Sequence, residues 1–313
     1  VNTLTQEKRI LVLKCLVDGM SIRATMRVTG VSQKTITKLL VDAGRVSSIF
    51  QDRVLRNLHC RHIQVDEAWS FVYVKARRLG RAKKPPAVAG DVWIWVALCT
   101  DSKLVPTWRL GDRTAATGKA FIKDLKSRMA HRIQLTSDGH KPYLIAVEEV
   151  YGRDIDYAML VKEYDRDERD KRVRYSGAHK EVIMGNPNPA AIGTSYIERQ
   201  NLTMRMSIRR MTRHTNGNSK KVENHACAIA LHYMYYNFCR THMALREKYR
   251  ERTPAMAAGL TDRPWEIADI LNLMDAAVPK PKRPTRYATY RGKPRRKRHK
   301  KRTAISRGVV GQP

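Results

Sequence analysis

From residue 4 to residue 42 the apolar positions recur at helical spacing. A first helix is predicted over 5–17, with Ile10, Leu11, Leu13, Leu16 and Val17 apolar and Gly19 as its stop. Ser21 caps a second helix that ends by Gly30, and Ser32 caps a third whose Ile36, Leu39 and Leu40 face inward. The tight Thr29-Gly30-Val31 turn between the last two is the signature of a helix-turn-helix, the alternative being an ordinary three-helix bundle. In a helix-turn-helix, Gln33, Lys34, Thr37 and Lys38 are the exposed residues of the recognition helix, suited to base edges and phosphates.

A helical connector over 47–58 leads into strand-like runs at 63–75, 92–100 and 104–110. Asp101-Ser102-Lys103 turns the chain between the last two, and 76–90, rich in Lys, Arg, Gly and Pro, is an exposed loop. A helix over 117–130 buries Phe121, Ile122, Leu125 and Met129, and a fourth strand follows at 133–138. Pro142 suits the first turn of a helix ending near Gly152, and a fifth strand runs over 155–161. This order predicts an α/β fold with a mixed five-stranded sheet flanked by helices. The stretch 165–194 is polar and reads as irregular, and helices over 195–213 and 219–242 complete the body. The expected organisation is a helix-turn-helix domain at 1–45, a helical connector at 46–62, the α/β core at 63–245, a helical extension at 246–279 and a basic, disordered tail at 280–313.

Charge sharpens this picture. The 313 residues hold 61 Lys and Arg against 29 Asp and Glu, a net charge of +32. Residues 280–302 contribute 13 of the bases and no acid, but the remaining 48 still exceed the 29 acids, so the excess pervades the folded part. A hydrophobic content of 42% excludes a disordered polycation, and such an imbalance points to double-stranded DNA or another polyanion as the partner. Five widely spaced cysteines without a CxxC pair argue against a disulfide framework or zinc site, and Cys60-Arg61-His62 offers only two zinc ligands. No apolar run approaches the roughly 18 residues of a membrane span and no signal peptide is visible, so a cytoplasmic, nucleoid-associated protein is expected. The first residue is Val, which implies a non-standard start or a beginning inside a longer chain.

Against this basic background three acids stand out. In 63–73, strand alternation puts Asp66 with Ala68 and Ser70 on one face and Glu67 with Val65, Trp69, Phe71 and Tyr73 on the other. Only one of the two neighbouring acids can enter a given site, and Asp66 has the smaller neighbours. Asp138 ends the fourth strand, where sheet proteins place ligands, although Asp138-Gly139 also reads as a turn pair. Glu198 lies in the first turn of its helix, where Ser195-x-x-Glu198 also fits a capping box. Ile197, Met204, Ile208 and Met211 form the buried stripe of that helix, while Glu198, Asn201, Arg205 and Arg209 share a face roughly 100° away. A phosphate-facing role for that second face favours Glu198 as an active-site acid. Carboxylates gathered in a DNA-binding protein imply hard divalent cations, and two Mg²⁺ ions (Mn²⁺ can substitute) would activate water or a 3′-OH and stabilise the departing oxyanion.

These motifs resemble the insertion-sequence transposases with a DDE catalytic triad, most closely the IS1 family. The resemblance covers about 5–270 and rests on IQVDEAWSF (63–71), TSDGH (136–140), TSYIERQNLTMRMSIRRMTRHTN (194–216), ENHACAIALHYMYYNFCRTH (223–242) and TPAMAAGLTDRPWE (253–266). It implies an RNase H-like catalytic core, with the triad and metal ligands on Asp66, Asp138 and Glu198, and it puts Arg205 where such enzymes keep a basic residue seven positions after the Glu. It further implies binding of terminal inverted repeats, Mg²⁺-dependent cleavage and strand transfer, and action as a homo-oligomer. Many relatives carry a cysteine-rich zinc-binding segment before the helix-turn-helix; none precedes it here, which leaves end recognition to the helical head and basic tail or marks a shortened copy. The alternative function is a non-catalytic, sequence-specific DNA-binding regulator; a weaker one is a nuclease that hydrolyses without joining.

Overall fold

The computed structural model describes residues 4–166, 173–212 and 215–277, so the basic tail expected at 280–313 lies outside the described residues. Three helices open the chain: α1 (Gln6–Val17), α2 (Ile22–Thr29) and α3 (Gln33–Val54). Their starts follow the sequence closely, because Thr5, Ser21 and Ser32 each accept a backbone N–H from the first turn, and Gly30 closes α2 in the left-handed region at φ 68°. The third helix, however, does not stop before the connector. It continues for 22 residues, merging what the sequence reads as two helices. Gly44 does not interrupt it: a Cβ there would meet the Cys227 carbonyl oxygen at 2.3 Å, so this glycine serves close helix packing.

The sheet holds β1 (His62–Val72), β2 (Gly90–Cys99), β3 (Trp108–Gly111), β4 (Gln134–Asp138), β5 (Asp156–Arg166) and β6 (Val173–Met184), in the order β3-β2-β1-β4-β5-β6. β2 runs antiparallel to β1 and β3, β4 runs parallel to β1 and β5, and β6 closes the edge antiparallel to β5. The sheet is therefore six-stranded, not five-stranded. β6 falls in the stretch expected to be irregular. Its residues pair with β5 at the sheet edge and stay largely exposed, so they carry no apolar alternation by which sequence could find them. The third strand is also shorter than 104–110. At Val105 the Asn237 amide takes the place of a strand partner, accepting from the backbone N–H and donating to the carbonyl, each at 3.0 Å.

α4 (Ala115–Lys126) and α5 (Pro142–Tyr151) pack together between strands of the sheet. α6 (Ser195–Ser207) and α7 (Val222–Met234) follow β6, and α8 (Pro254–Ala257) and α9 (Ile267–Ala276) end the described chain. α6 stops six residues short of the expected end, with Ile208 extended. Its last carbonyls abut the turn between α1 and α2, where a Cβ on Gly19 would lie 3.0 Å from the Met206 oxygen. α7 likewise gives way to a single wider turn at Tyr235–Cys239. One continuous apolar core links Leu13 and Ile36 of the first helices, Val65 and Val96 of the sheet, Ile229 of α7 and Ile270 of α9. Arg9 and Asp275 tie α1 to α9 with paired hydrogen bonds of 2.9 and 2.7 Å. Among the described residues no helix is long and apolar enough to cross a membrane.

Candidate functional site

β1 and β4 run side by side with Gln64 opposite Thr136, and Asp66 and Asp138 each stand two residues further along. The pleat therefore aims both carboxylates at the same face of the sheet. α6 covers that face, its Ile197 N–H donating to the Gln64 side-chain oxygen at 3.0 Å. This contact fixes the first turn of α6 over β1 and brings the charge of Glu198 within reach of Asp66. Each of the three belongs to a different element, and Asp66 lies in the field of both others.

Asp66 is half-buried. Burial and then the charge of Asp138 push its carboxyl up to about 6, with a smaller push from Glu198. The backbone N–H of Glu67 and the amide of Asn201, each donating at 2.8 Å, hold it from rising further. Asp138 accepts from the His140 N–H at 3.1 Å, so the turn expected of Asp138-Gly139 and a position among the acids are met by one residue. Glu198 makes no capping box: Thr194 is the N-cap, Ser195 already lies inside the helix, and no side chain caps it. Instead one Glu198 oxygen accepts from Lys162 at 2.6 Å and from Thr194 at 2.7 Å. Burial alone would raise Glu198, but those bonds and the lysine's charge outweigh it and leave the carboxyl below its usual range. The same bond to Glu198 raises Lys162.

Glu67 belongs to the opposite face, as alternation predicts. Its side chain is 1% exposed, with Arg113 at 2.8 Å, the Tyr143 hydroxyl donating at 3.1 Å and the His140 ring nitrogen at 3.2 Å. Burial first, and then Asp138's charge, push Glu67 up to about 7 despite Arg113. It anchors α5 to β1 from behind the site.

The donor chemistry of Asp66 and Asp138 fits a hard divalent cation. Two like charges face one another, and the side-chain oxygen of Asn201 beside them is buried without a hydrogen-bond partner. Glu198 does not complete that set as placed. Among the described residues no group of three or more His, Cys, Asp or Glu side chains is arranged to hold a metal ion, and Lys162 holds Glu198.

The residues expected to touch DNA separate. Asn201 is a correction: it is 3% exposed and spends its amide on Asp66, because it faces β1 and not solvent. Arg205 is half-buried in the last turn of α6. Arg209 is exposed but lies beyond the end of α6, so the helical face does not carry it. Gln33 and Thr37 line a cavity of about 580 Å³ shared with Arg209, while Lys34 and Lys38 are exposed on α3. Sequence alone does not single out Lys162, because the fifth strand is predicted to end at Val161. Strand alternation extended by one step would have put Lys162 on the face of Asp138.

No protein-family model matches the chain, and no curated protein matches it. Among solved structures it is similar to a piggyBac transposase synaptic complex with hairpin DNA, at 10% identity and a TM-score of 0.35, over 92% of this chain and 76% of that one. A pre-cleavage Mos1 transpososome is similar at 14% identity and a TM-score of 0.21, over 50% of this chain and 61% of that one. A Mos1 transposase paired-end complex with the left transposon end follows at 13% and 0.20, over 50% and 60%. TM-scores this low carry no argument about family or function.

Proposed function

We propose that the chain is a DDE-type DNA transposase of the insertion-sequence kind, as its resemblance to the IS1 family implies. It would bind the ends of a mobile element, cleave strands to free 3′-OH groups and join those ends to target DNA. The observation that carries this reading is that Asp66 and Asp138, from adjacent parallel strands, share a sheet face and a field with Glu198 on the overlying helix, in a chain of net charge +32. The strand order supports an RNase H-like core, in which three antiparallel strands meet two parallel ones beside the acids.

Asp66, Asp138 and Glu198 would hold two Mg²⁺ ions, or Mn²⁺ in their place, which supply Lewis acidity at the attacking and leaving oxygens. The chain's own residues prepare that site. Asn201 and the Glu67 N–H keep Asp66 oriented and favour its charged form, and Glu67 with Arg113 and Tyr143 braces β1 from behind. Lys162 neutralises Glu198 and must release it for that carboxylate to serve as a ligand. Arg205 in the last turn of α6 and Arg209 just beyond it would suit the phosphates flanking the cut. Action on two ends at once would need a homo-oligomer, and work on bacterial DNA a cytoplasmic, nucleoid-associated location.

Lys162's hold on Glu198 favours one other reading, a DNA-binding regulator without chemistry. Purified protein incubated with element-end DNA and Mg²⁺ separates the two. A transposase nicks and yields joined strands longer than the input, while Asp66→Asn, Asp138→Asn and Glu198→Gln bind without cutting, with rates down by at least about a hundredfold. Binding without metal-dependent breakage in the wild type selects the regulator. Full activity in Glu198→Gln removes that residue from the site.

A further inference from the structure

β5 pairs with β4 only through Leu160, after which Val161–Arg166 pair with β6 alone, so the two strands extend past the sheet as an arm. Its two faces differ sharply. Leu160 lies opposite Lys180, Lys162 opposite Ala178, and Tyr164 opposite Tyr175, which puts these six on the face that Asp138 shares. Among the described residues of the arm that face carries no acid. Glu163, Asp165 and Glu181, the acids described on the two paired strands here, alternate to the other side, where Glu163 pairs with His179 at 2.7 Å. Tyr164 and Tyr175 are 56% and 63% exposed, and their rings meet edge to face with centroids 6.1 Å apart. An exposed tyrosine pair on a cationic surface that runs straight from the acids is poorly explained by folding, since neither ring buries much of its apolar area.

We infer that this face of the β5–β6 arm is a stacking platform for unpaired nucleotides of the DNA strand that leaves the proposed cleavage site. The inference rests on the reading of Asp66, Asp138 and Glu198 as the site of cleavage. The chemistry matches a single strand: tyrosine rings stack on any base, Lys180, whose ammonium also donates to the Pro189 carbonyl, complements phosphate, and Lys162 does so once it releases Glu198. The spacing matches too. Tyr164 stands four residues, about 13 Å, beyond Leu160, the partner of Asp138, roughly four stacked nucleotides along at about 3.4 Å each. Along its length a duplex presents base edges and phosphates, with a base face only at its terminal pair, so the rings favour frayed or single-stranded ends over intact duplex.

The test compares the full chain with Tyr164→Ala/Tyr175→Ala and Tyr164→Phe/Tyr175→Phe variants in EDTA, where no cleavage intervenes. Binding is measured to a blunt duplex and to the same duplex bearing a short unpaired extension. The wild type should prefer the extended DNA, the alanine pair should lose about tenfold or more of that preference, and the phenylalanine pair should keep it, with blunt-duplex affinity unchanged within about twofold. No preference in the wild type overturns the platform. So does retention of the preference by the alanine pair, or a loss confined to self-association of the chain. Asp66→Asn separates this from the reading beneath it: that variant should keep the preference while losing cleavage. A wild type that shows the preference yet never cuts refutes the transposase and leaves the platform standing.

Discussion

Asp66 binds its proton more tightly in the folded protein than in the unfolded chain, since burial and the charge of Asp138 lift it from 3.8 to about 6. Stability from this group is therefore fully present below about pH 4 and is lost as pH rises through 6, the reverse of a salt-bridged carboxylate. Asp66→Asn resembles the protonated form at every pH. The variant should match the wild type near pH 4 and exceed it in metal-free stability by a margin that grows up to about pH 7, read from urea unfolding at each pH; a margin that stays flat contradicts the proposed environment. At this scale the sequence is informative where one residue sets its own surroundings. The small neighbours of Asp66 and the alternation that turns Glu67 away were both readable. Asn201 was not, because its choice between solvent and Asp66 depends on how α6 is rotated over β1, and Gln64 decides that from another segment.

Elements were legible where they carry local signals and illegible where only tertiary packing defines them. Thr5, Ser21 and Ser32 announce three helices by their capping oxygens. The extension of α3 past residue 45 has no such signal, and its cause is the approach of α7 at Cys227. Replacing Gly44 with Ala would put a methyl group into that contact, where the Cys227 backbone cannot swing aside. Gly44→Ala should therefore destabilise the protein by about 1–3 kcal/mol in urea unfolding, although alanine is the better helix former. An unchanged or higher midpoint would mean that α3 and α7 do not meet there. The β5–β6 arm was missed for the opposite reason: exposed on both faces, it lacks the apolar alternation that marks a half-buried strand.

Across the whole molecule, one apolar core runs from the first helices through the sheet to α7 and α9. The helical head is held against that body by Gly19 at the end of α6 and by Arg9 at Asp275. The cavity lined by Gln33, Thr37 and Arg209 lies between the two, so DNA bound by α3 would pass close to the residues after α6. The same arrangement brings acids from three distant segments to one sheet face in a chain whose net charge is +32. The most direct measurement of their purpose is a crystal structure with Mn²⁺, its anomalous signal locating the metal. A peak is expected about 2.0–2.3 Å from oxygens of both Asp66 and Asp138, with Glu198 turned from Lys162 toward it. A map with no manganese at these carboxylates, or with Glu198 still bound to Lys162 beside an empty pair of aspartates, would contradict it.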